Sequence, residues 1–447
     1  MFVSFLILLN KTLTFLVRLR GWSGSVFAGR IIKKLDKNIL TKIKYPKYVI
    51  GVTGSSGKGT TVAILNEILS KEGYKVVWNS SGSNVDVAII TLVLNNTKIF
   101  SHKVDADVLL VELDESYIKH SFKTSTLTHL LVTNITRDQP ARNAEPEIIF
   151  KKILNSIDNK TKVLINVDDP ILNRFKYEFD GEVTTFGIDK TKYSLKSPIS
   201  NNLDAVYCPL CNEKLIYEFY HYGHIGKYKC PKKGCKFQYD AKYLAYDVNL
   251  DKNYFYINKH KINMNQNLFY NVYAMLGAYS ILKEINIDEN IIINNLNNLN
   301  KNEKRLKYFS LNKRKIHLLD TKNENNLSYY QTIQYINEFK DNKTIILGFE
   351  NVSRRYKHND ISLLYDIDYE ALNMNKIDKV FIIGRFKYNI MTRLLLANIK
   401  EDKLILIEDF NNMKEDIIKK SNGEIFVIAD FEMTNVLKNI FEEEEND

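Results

Sequence analysis

The stretch GVTGSSGKGTT, Gly51 to Thr61, decides the reading of this chain. It lies between an apolar run, YVIGV, and an amphipathic one, TVAILNEIL. The order predicts a strand, a glycine-rich loop and a helix. Backbone N–H groups at a helix N-terminus point outward and favour an anion. Gly54, Gly57 and Gly59 let the backbone come close to a polyphosphate, because a Cβ there would clash or forbid the needed dihedrals. Lys58 adds a point charge for the terminal phosphates. A strict phosphate-loop pattern has glycine where Val52 stands and Ser or Thr where Gly59 stands, so the loop is a variant. The bland alternative is a tight strand-to-helix turn with a chance lysine.

The alternation continues outward. Between about Lys47 and Gly187, nearly continuous apolar runs fall at Lys75–Asn79, Val108–Glu115, His129–Ile135 and Lys162–Asp169. Such runs fit a parallel sheet covered on both faces. Val62, Ile64, Leu65, Ile68 and Leu69 recur at helical spacing between the first two strands. Helical pattern returns at Gln266–Ile285, and the Asn-rich stretch Ile291–Arg305 reads as a linker or a polar helix. A second α/β region follows, with strands at Lys315–Asp320, Thr344–Glu350, Lys379–Gly384, Lys403–Glu408 and Glu424–Asp430.

A chain of 447 residues has room for two or three domains. Its net charge of +10 fits nucleic acid, an anionic membrane or an acidic substrate, or a plain compositional bias toward Asn, Lys and Ile. The lysines are scattered, and no aromatic-basic stacking motif accompanies them, which argues against nucleic acid. At the N-terminus, the apolar run Phe2–Leu9 is too short to span a bilayer, and Lys11, Arg18 and Arg20 interrupt its continuation. Residues 1–45 read as an amphipathic helical segment, a packed element of a cytoplasmic protein; attachment at the inner face of the membrane is the alternative.

The texture changes from Leu203 to about Tyr239. Cys208 and Cys211 lie in CPLC, and Cys230 and Cys235 in CPKKGC, separated by an 18-residue spacer. Two such turns can close a tetrahedral Zn²⁺ site of four thiolates. All the cysteines of the chain are here, which suits a reducing compartment; disulfides or free thiols are the alternative. His221 and His224, between the pairs, read as tip residues of the ribbon. With four thiolates on zinc, no cysteine remains as a nucleophile. Any ammonia the chain uses must then come from solution or from a partner.

TGSSGKGTT resembles the loop of the Mur ligase superfamily, which activates a carboxylate with ATP and condenses it with an amine. The glycine after the lysine is the variant seen in folylpolyglutamate synthases. NSSGSN (Asn79–Asn84), VELDES (Val111–Ser116), TNITRDQ (Thr133–Gln139), LINVDDP (Leu164–Pro170) and YNVYAMLGAY (Tyr270–Tyr279) resemble further blocks of the superfamily, in order. The four-cysteine ribbon, Asp138–Gln139 and HNDISLLYDIDYEAL (His358–Leu372) are similar to the MurT family, the synthetase subunits of lipid II isoglutaminyl synthases. Departures include Ser55–Ser56 in the loop, Pro140–Glu145, Ala274, Leu363–Leu364–Tyr365 and Lys304 before Arg305.

The resemblance implies an α/β protein. Its expected parts are a Mur ligase-like ATP-binding domain over 46–305 with a zinc ribbon inserted at 202–240, and a Rossmann-like α/β domain over 306–447. Gly54, Ser55, Ser56, Gly57, Lys58, Gly59, Thr60, Asn271 and Arg305 are the expected ATP-binding residues. Glu112 and Thr60 are expected on Mg²⁺, which prefers one or two carboxylates plus phosphate oxygens and water. Lys58 and Asp360 are the expected catalytic residues; Asp360 falls on the carboxylate that works with the partner's machinery, and Asp366 and Asp368 on the following pair. Local capping of the next helix is the bland reading of Asp360. The implied partner is a GatD-type glutamine amidotransferase that releases ammonia. The implied reaction is amidation of the α-carboxylate of D-glutamate in lipid II. Another Mur-type ligase, such as a polyglutamate synthase, and a non-catalytic ATP- and zinc-binding scaffold are the alternatives.

Overall fold

Apolar strands need layers on both faces, and this chain supplies them twice. A computed structural model describes residues 1–21, 24, 26–80, 83–122, 126–137, 145–199, 203–264, 268–300, 306–319, 325–351, 360–372 and 374–442. Asp138, Gln139 and Arg305 lie outside the described residues. Contacts divide the chain into two units. One comprises Met1–Ile135, Glu147–Lys196 and Ala205–Asn300; the other comprises Thr136–Pro146, Ser197–Asp204 and Lys301–Asp447.

The first unit opens with α1 (Phe2–Leu19) and α2 (Phe27–Leu35). Then β1 (Tyr48–Thr53), α3 (Lys58–Lys71), β2 (Val76–Trp78), α4 (Asp86–Asn95) and β3 (Val108–Glu112) alternate as the sequence predicts. The short α5 (Ile118–Ser121), β4 (His129–Val132), α6 (Pro146–Leu154) and β5 (Lys162–Asn166) follow, then α7 (Pro170–Asn173), α8 (Phe175–Glu178) and β6 (Val183–Ile188). A separate hairpin, β7 (Ile216–Tyr222) with β8 (Ile225–Lys229), belongs to the ribbon. The meander β9 (Tyr243–Asn249), β10 (Tyr254–Ile257) and β11 (His260–Asn263) leads to α9 (Phe269–Glu284) and α10 (Glu289–Asn297). The nine strands of the main sheet run β11-β10-β9-β6-β5-β4-β1-β3-β2, antiparallel only among β9, β10 and β11.

Strand β1 sits between β4 and β3, so the chain leaves it in one direction and later returns on the other side. Ligands of open α/β sheets bind at the carboxyl ends of strands around such a reversal. The Asn-rich stretch resolves as helix at its start: α10 is capped by Asp288 and buries Ile292, Ile293 and Leu296. At the N-terminus the helix is longer than its first apolar run. It continues unbroken through Lys11 to Leu19, and by length and composition it is long and apolar enough to cross a membrane.

The second unit contains β12 (Leu306–Leu311), β13 (Arg314–Leu319), α11 (Asn326–Glu338), β14 (Lys343–Gly348), α12 (Ser362–Asp366), β15 (Ile377–Ile383), α13 (Lys387–Leu396), β16 (Leu404–Leu406), α14 (Met413–Lys420), β17 (Glu424–Ala429) and α15 (Phe431–Glu442). Its six-stranded sheet runs β12-β13-β17-β14-β15-β16 and is parallel except for the β12–β13 hairpin. Ile346, Phe381, Ile425 and Val427 are buried at the centre of its core.

Candidate active site and metal centre

The loop after β1 is held in a shape only glycine permits. Gly54 has φ of 121°, and a Cβ on it would collide with Thr133 Oγ1 and lie 2.8 Å from the carbonyl of Asn134. Gly57, immediately before α3, is also left-handed. The loop is clamped by the end of β4. Ser55 N donates to Asn134 O at 2.9 Å, Ser56 N donates to Asn134 Oδ1 at 3.1 Å, and Thr133 Oγ1 donates to Ser56 O at 2.6 Å. The TNI segment is thus the mould of the loop.

Lys58 opens α3 and turns its Nζ back toward the loop, donating to the carbonyl of Gly54 and to Glu115 Oε1, the latter at 2.9 Å. Gly54 N donates to the same carboxylate oxygen at 3.1 Å. Glu115 is buried and was passed over in the sequence; its signal was the third carboxylate of VELDES, one place before Ser116. Glu112, at the end of β3, is also buried and accepts from Asn84 Nδ2 at 3.4 Å. The Asn79 side chain pairs with the backbone of Glu112, donating to its carbonyl at 2.9 Å and accepting from its N–H at 2.8 Å. The second loop is thereby fastened to β3.

Thr60 supplies the test of fit for a cation. Its Oγ1 is buried and has no hydrogen-bond partner. A buried, unpartnered hydroxyl two residues past Lys58, in the first turn of α3, is an oxygen donor of the kind hard cations take. Thr61, by contrast, spends its hydroxyl on Gly57 O at 3.1 Å. Asn271 is buried in the first turn of α9, the helix that packs on α3.

The four cysteine Sγ atoms lie within 4.8 Å of one another. Cys208 and Cys235 are 3.7 Å apart, Cys211 and Cys230 3.4 Å. A regular tetrahedron with Zn–S bonds of ~2.3 Å has edges of about 3.8 Å, so the cluster has the size of a zinc site. Each pair sits on a tight turn: Cys208 N donates to Glu213 O, and Cys235 N to Lys232 O.

The two histidines flank the β7–β8 turn, but both are buried while Gly223 at the turn is exposed, so they are not solvent-facing tip residues. His221 Nε2 is 3.1 Å from Ile188 O and Nδ1 3.2 Å from Ser194 Oγ; burial pulls its pKa down to about 4, so the ring is neutral. His224 Nε2 approaches Asp169 Oδ1 at 3.3 Å. The DD of LINVDDP is the anchor. Asp168 accepts from the hydroxyls of Tyr239 and Tyr273, both at 2.6 Å, and from Ile188 N at 2.9 Å. Full burial pushes its carboxyl up to about 7 despite those donors. Asp169 caps α7 through Ile171 N at 2.9 Å and accepts from Ile135 N at 2.8 Å.

In the second unit, Asp360 is exposed and its Oδ1 accepts from Ser362 N at 3.0 Å, ahead of α12. The local capping contact is therefore present. Asp366 faces Arg137 Nη1 at 3.4 Å. Asp368 is buried and lies 3.4 Å from Asn326 Nδ2.

Comparison with known proteins agrees with this geometry. Residues 52–229 match the model of the Mur ligase middle domain, and residues 321–433 match that of the MurT ligase C-terminal domain. A pseudomurein peptide ligase type C from Methanothermus fervidus superposes with a TM-score of 0.68, over 91% of this chain and 80% of its own, at 22% identity. MurF from Acinetobacter baumannii gives 0.65 over 92% and 80%, at 14% identity. Two stretches of the chain thus match Mur-type ligase family models, and the fold is the one Mur-type ligases share. Within that class the chain is similar to the MurT subunit of the glutamine-hydrolyzing lipid II isoglutaminyl synthase. The Staphylococcus aureus (strain COL) protein of that name is 26% identical over 385 residues, 85% of this chain and 84% of the relative. That of Streptococcus pneumoniae (strain ATCC BAA-255 / R6) is 29% identical over 274 residues, 60% of each.

Proposed function

We propose that this chain is the ATP-dependent synthetase subunit of a lipid II isoglutaminyl synthase. It amidates the α-carboxylate of the D-glutamate in the lipid II stem peptide, using ammonia from a GatD-type glutamine amidotransferase partner. The observation that carries this reading is the MurT C-terminal match on a chain whose first unit presents a lysine-bearing phosphate loop.

The substrate carboxylate oxygen attacks the γ-phosphorus of ATP, the bond to the β-phosphate oxygen breaks, and ADP leaves. Ammonia then attacks the acyl carbon of the acyl phosphate, inorganic phosphate leaves with the C–O electron pair, and the nitrogen gives up one proton to the phosphate or to water. Lys58 and the loop amides hold the polyphosphate and offset the charge on the transferring phosphoryl group, work that is mainly positioning and electrostatics. Thr60 and a carboxylate, Glu112 or Glu115, would hold magnesium, which would supply positive charge against the phosphates. Glu115 positions Lys58 at the loop. The four thiolates hold zinc in an architectural role, which leaves glutamine hydrolysis to the partner. The work belongs at the cytoplasmic face of the membrane, where the lipid-linked substrate lies.

The test is reconstitution with lipid II, ATP, glutamine and the glutaminase, read by mass spectrometry of the stem peptide. The expected product carries one amide in place of the α-carboxyl. Lys58→Ala should lower turnover by about 100-fold or more while zinc stays bound. An amino acid ligated in place of ammonia would overturn the reading.

A further inference from the structure

Helix α1 is fastened to the first unit along one edge. Leu6, Ile7, Asn10 and Thr14 are its buried residues. Asn10 Nδ2 donates to Thr91 O at 3.3 Å and to Asn95 Oδ1 at 2.9 Å, and Asn95 Nδ2 donates to Thr14 Oγ1 at 3.3 Å. Helix α2 comes equally close to α4: Gly29 N donates to Thr91 Oγ1 at 2.8 Å, and a Cβ on Gly29 would run into the carbonyl of Val87. A helix tied down by these polar contacts lies along the unit and does not leave it to span a bilayer.

The opposite face of α1 is apolar and uncovered. Phe5, Leu8, Phe15, Leu16 and Leu19 are 55%, 52%, 61%, 51% and 68% exposed. Phe5, Leu8, Thr12, Phe15 and Leu19 follow one another at steps of three and four along the helix, with Leu16 beside Phe15 and Thr12 the one polar residue in the stripe. Single exposed apolar side chains are ordinary, but a continuous stripe of large ones marks an interaction surface. Phe27 and Leu35 of α2 are exposed as well. Neither helix contains an Asp or Glu, whereas Arg18, Arg20, Arg30 and Lys34 are all exposed.

We propose that the exposed stripe of α1, with the cations of α1 and α2 around it, seats the protein on an anionic lipid surface, the helix lying in the plane of the headgroups. The charge pattern selects this occupant. An amphipathic helix with an apolar face and Lys or Arg beside it gains from both acyl-chain burial and anionic headgroups. A protein partner would bring a polar rim to pair, and no carboxylate on either helix is offered for it. The inference stands apart from the reading of the reaction, because lipid binding is measured without substrate.

The full-length chain is sedimented with vesicles of phosphatidylglycerol and phosphatidylcholine, and with phosphatidylcholine alone. Binding is expected to the anionic vesicles and to weaken as salt rises. The double variant Phe15→Glu, Leu19→Glu should bind about tenfold or more weakly. Its thermal unfolding should not change, since both side chains are exposed. Arg18→Ala with Arg20→Ala, which leaves the apolar stripe intact, should lose binding to anionic vesicles and serves if the glutamates disturb folding. Wild-type protein left in the supernatant with anionic vesicles overturns the proposal, as does equal sedimentation of wild type and both variants. A dimer in sedimentation velocity that Phe15→Glu, Leu19→Glu abolishes, without any vesicle binding, would assign the stripe to a second copy instead.

Discussion

Two carboxylates three residues apart, Glu112 at the end of β3 and Glu115 just beyond it, stand beside the phosphate loop, and their surroundings give them different work. Glu115 touches Lys58 Nζ and Gly54 N, so its negative charge is already matched by a cation and a loop amide. Glu112 is held only by the weaker contact from Asn84 among the hydrogen bonds described for its side chain. A carboxylate committed to a lysine orients that lysine; one with an oxygen to spare is the better cation ligand. Glu112→Gln should therefore raise the magnesium concentration needed for half-maximal ATP turnover about tenfold, with little change at saturation. Glu115→Gln should instead lower the saturated rate about tenfold, because the lysine loses its charged partner. A magnesium titration of both variants checks this, and the reverse pattern would hand the metal to Glu115.

At the scale of elements, the sequence announces buried parallel strands well, because apolar runs bounded by turns survive any register. The runs from Tyr48 to Asn166 and from Lys315 to Asp430 all contain strands, though several of them extend past the strand into the loop beyond it. Val108–Glu115 is the plainest case: strand geometry ends at Glu112, and the last three residues turn into the site. The edge meander β9 to β11 and the ribbon hairpin were not legible. Their tyrosines and lysines alternate with few aliphatic residues, so no apolar signal separates strand from loop. The cysteine spacing was legible, but what anchors the ribbon was not. His221 and His224 face buried aspartates that are more than forty residues away in sequence, a partnership no local pattern encodes. That anchoring ties the ribbon to Asp169, which also accepts from Ile135, next to the asparagine that clamps the phosphate loop. Removing zinc with a chelator should thus lower the thermal midpoint by about 5 °C or more. It should also weaken binding of a nonhydrolysable ATP analogue, measured by calorimetry. Unchanged nucleotide affinity in the metal-free protein would leave the ribbon thermally important but unconnected to the loop.

At the scale of the molecule, the proposed reaction with zinc on the four cysteines divides the work between this chain and an outside source of ammonia. All four lie in one cluster, so with zinc bound there no thiol would be left to open the amide of glutamine. The synthetase half-reaction needs only ammonia, and supplying it as an ammonium salt should bypass the partner. Turnover of ATP with lipid II and ammonium should then proceed with this chain alone, and rise with pH because only the unprotonated amine attacks. Asp360 separates the two supply routes. It is exposed in the second unit, and its contact with Ser362 N is one an asparagine oxygen can keep. Asp360→Asn should accordingly preserve folding, ATP affinity and ammonium-driven amidation, while glutamine-driven amidation in the presence of the partner falls by about 100-fold. Measuring both nitrogen sources on the same variant distinguishes a carboxylate that serves the partner from one that only caps a helix. If both rates stay at the wild-type level, Asp360 is a cap and the link to the glutaminase lies elsewhere in the C-terminal unit. If both fall together, its charge acts on the acyl-transfer step itself.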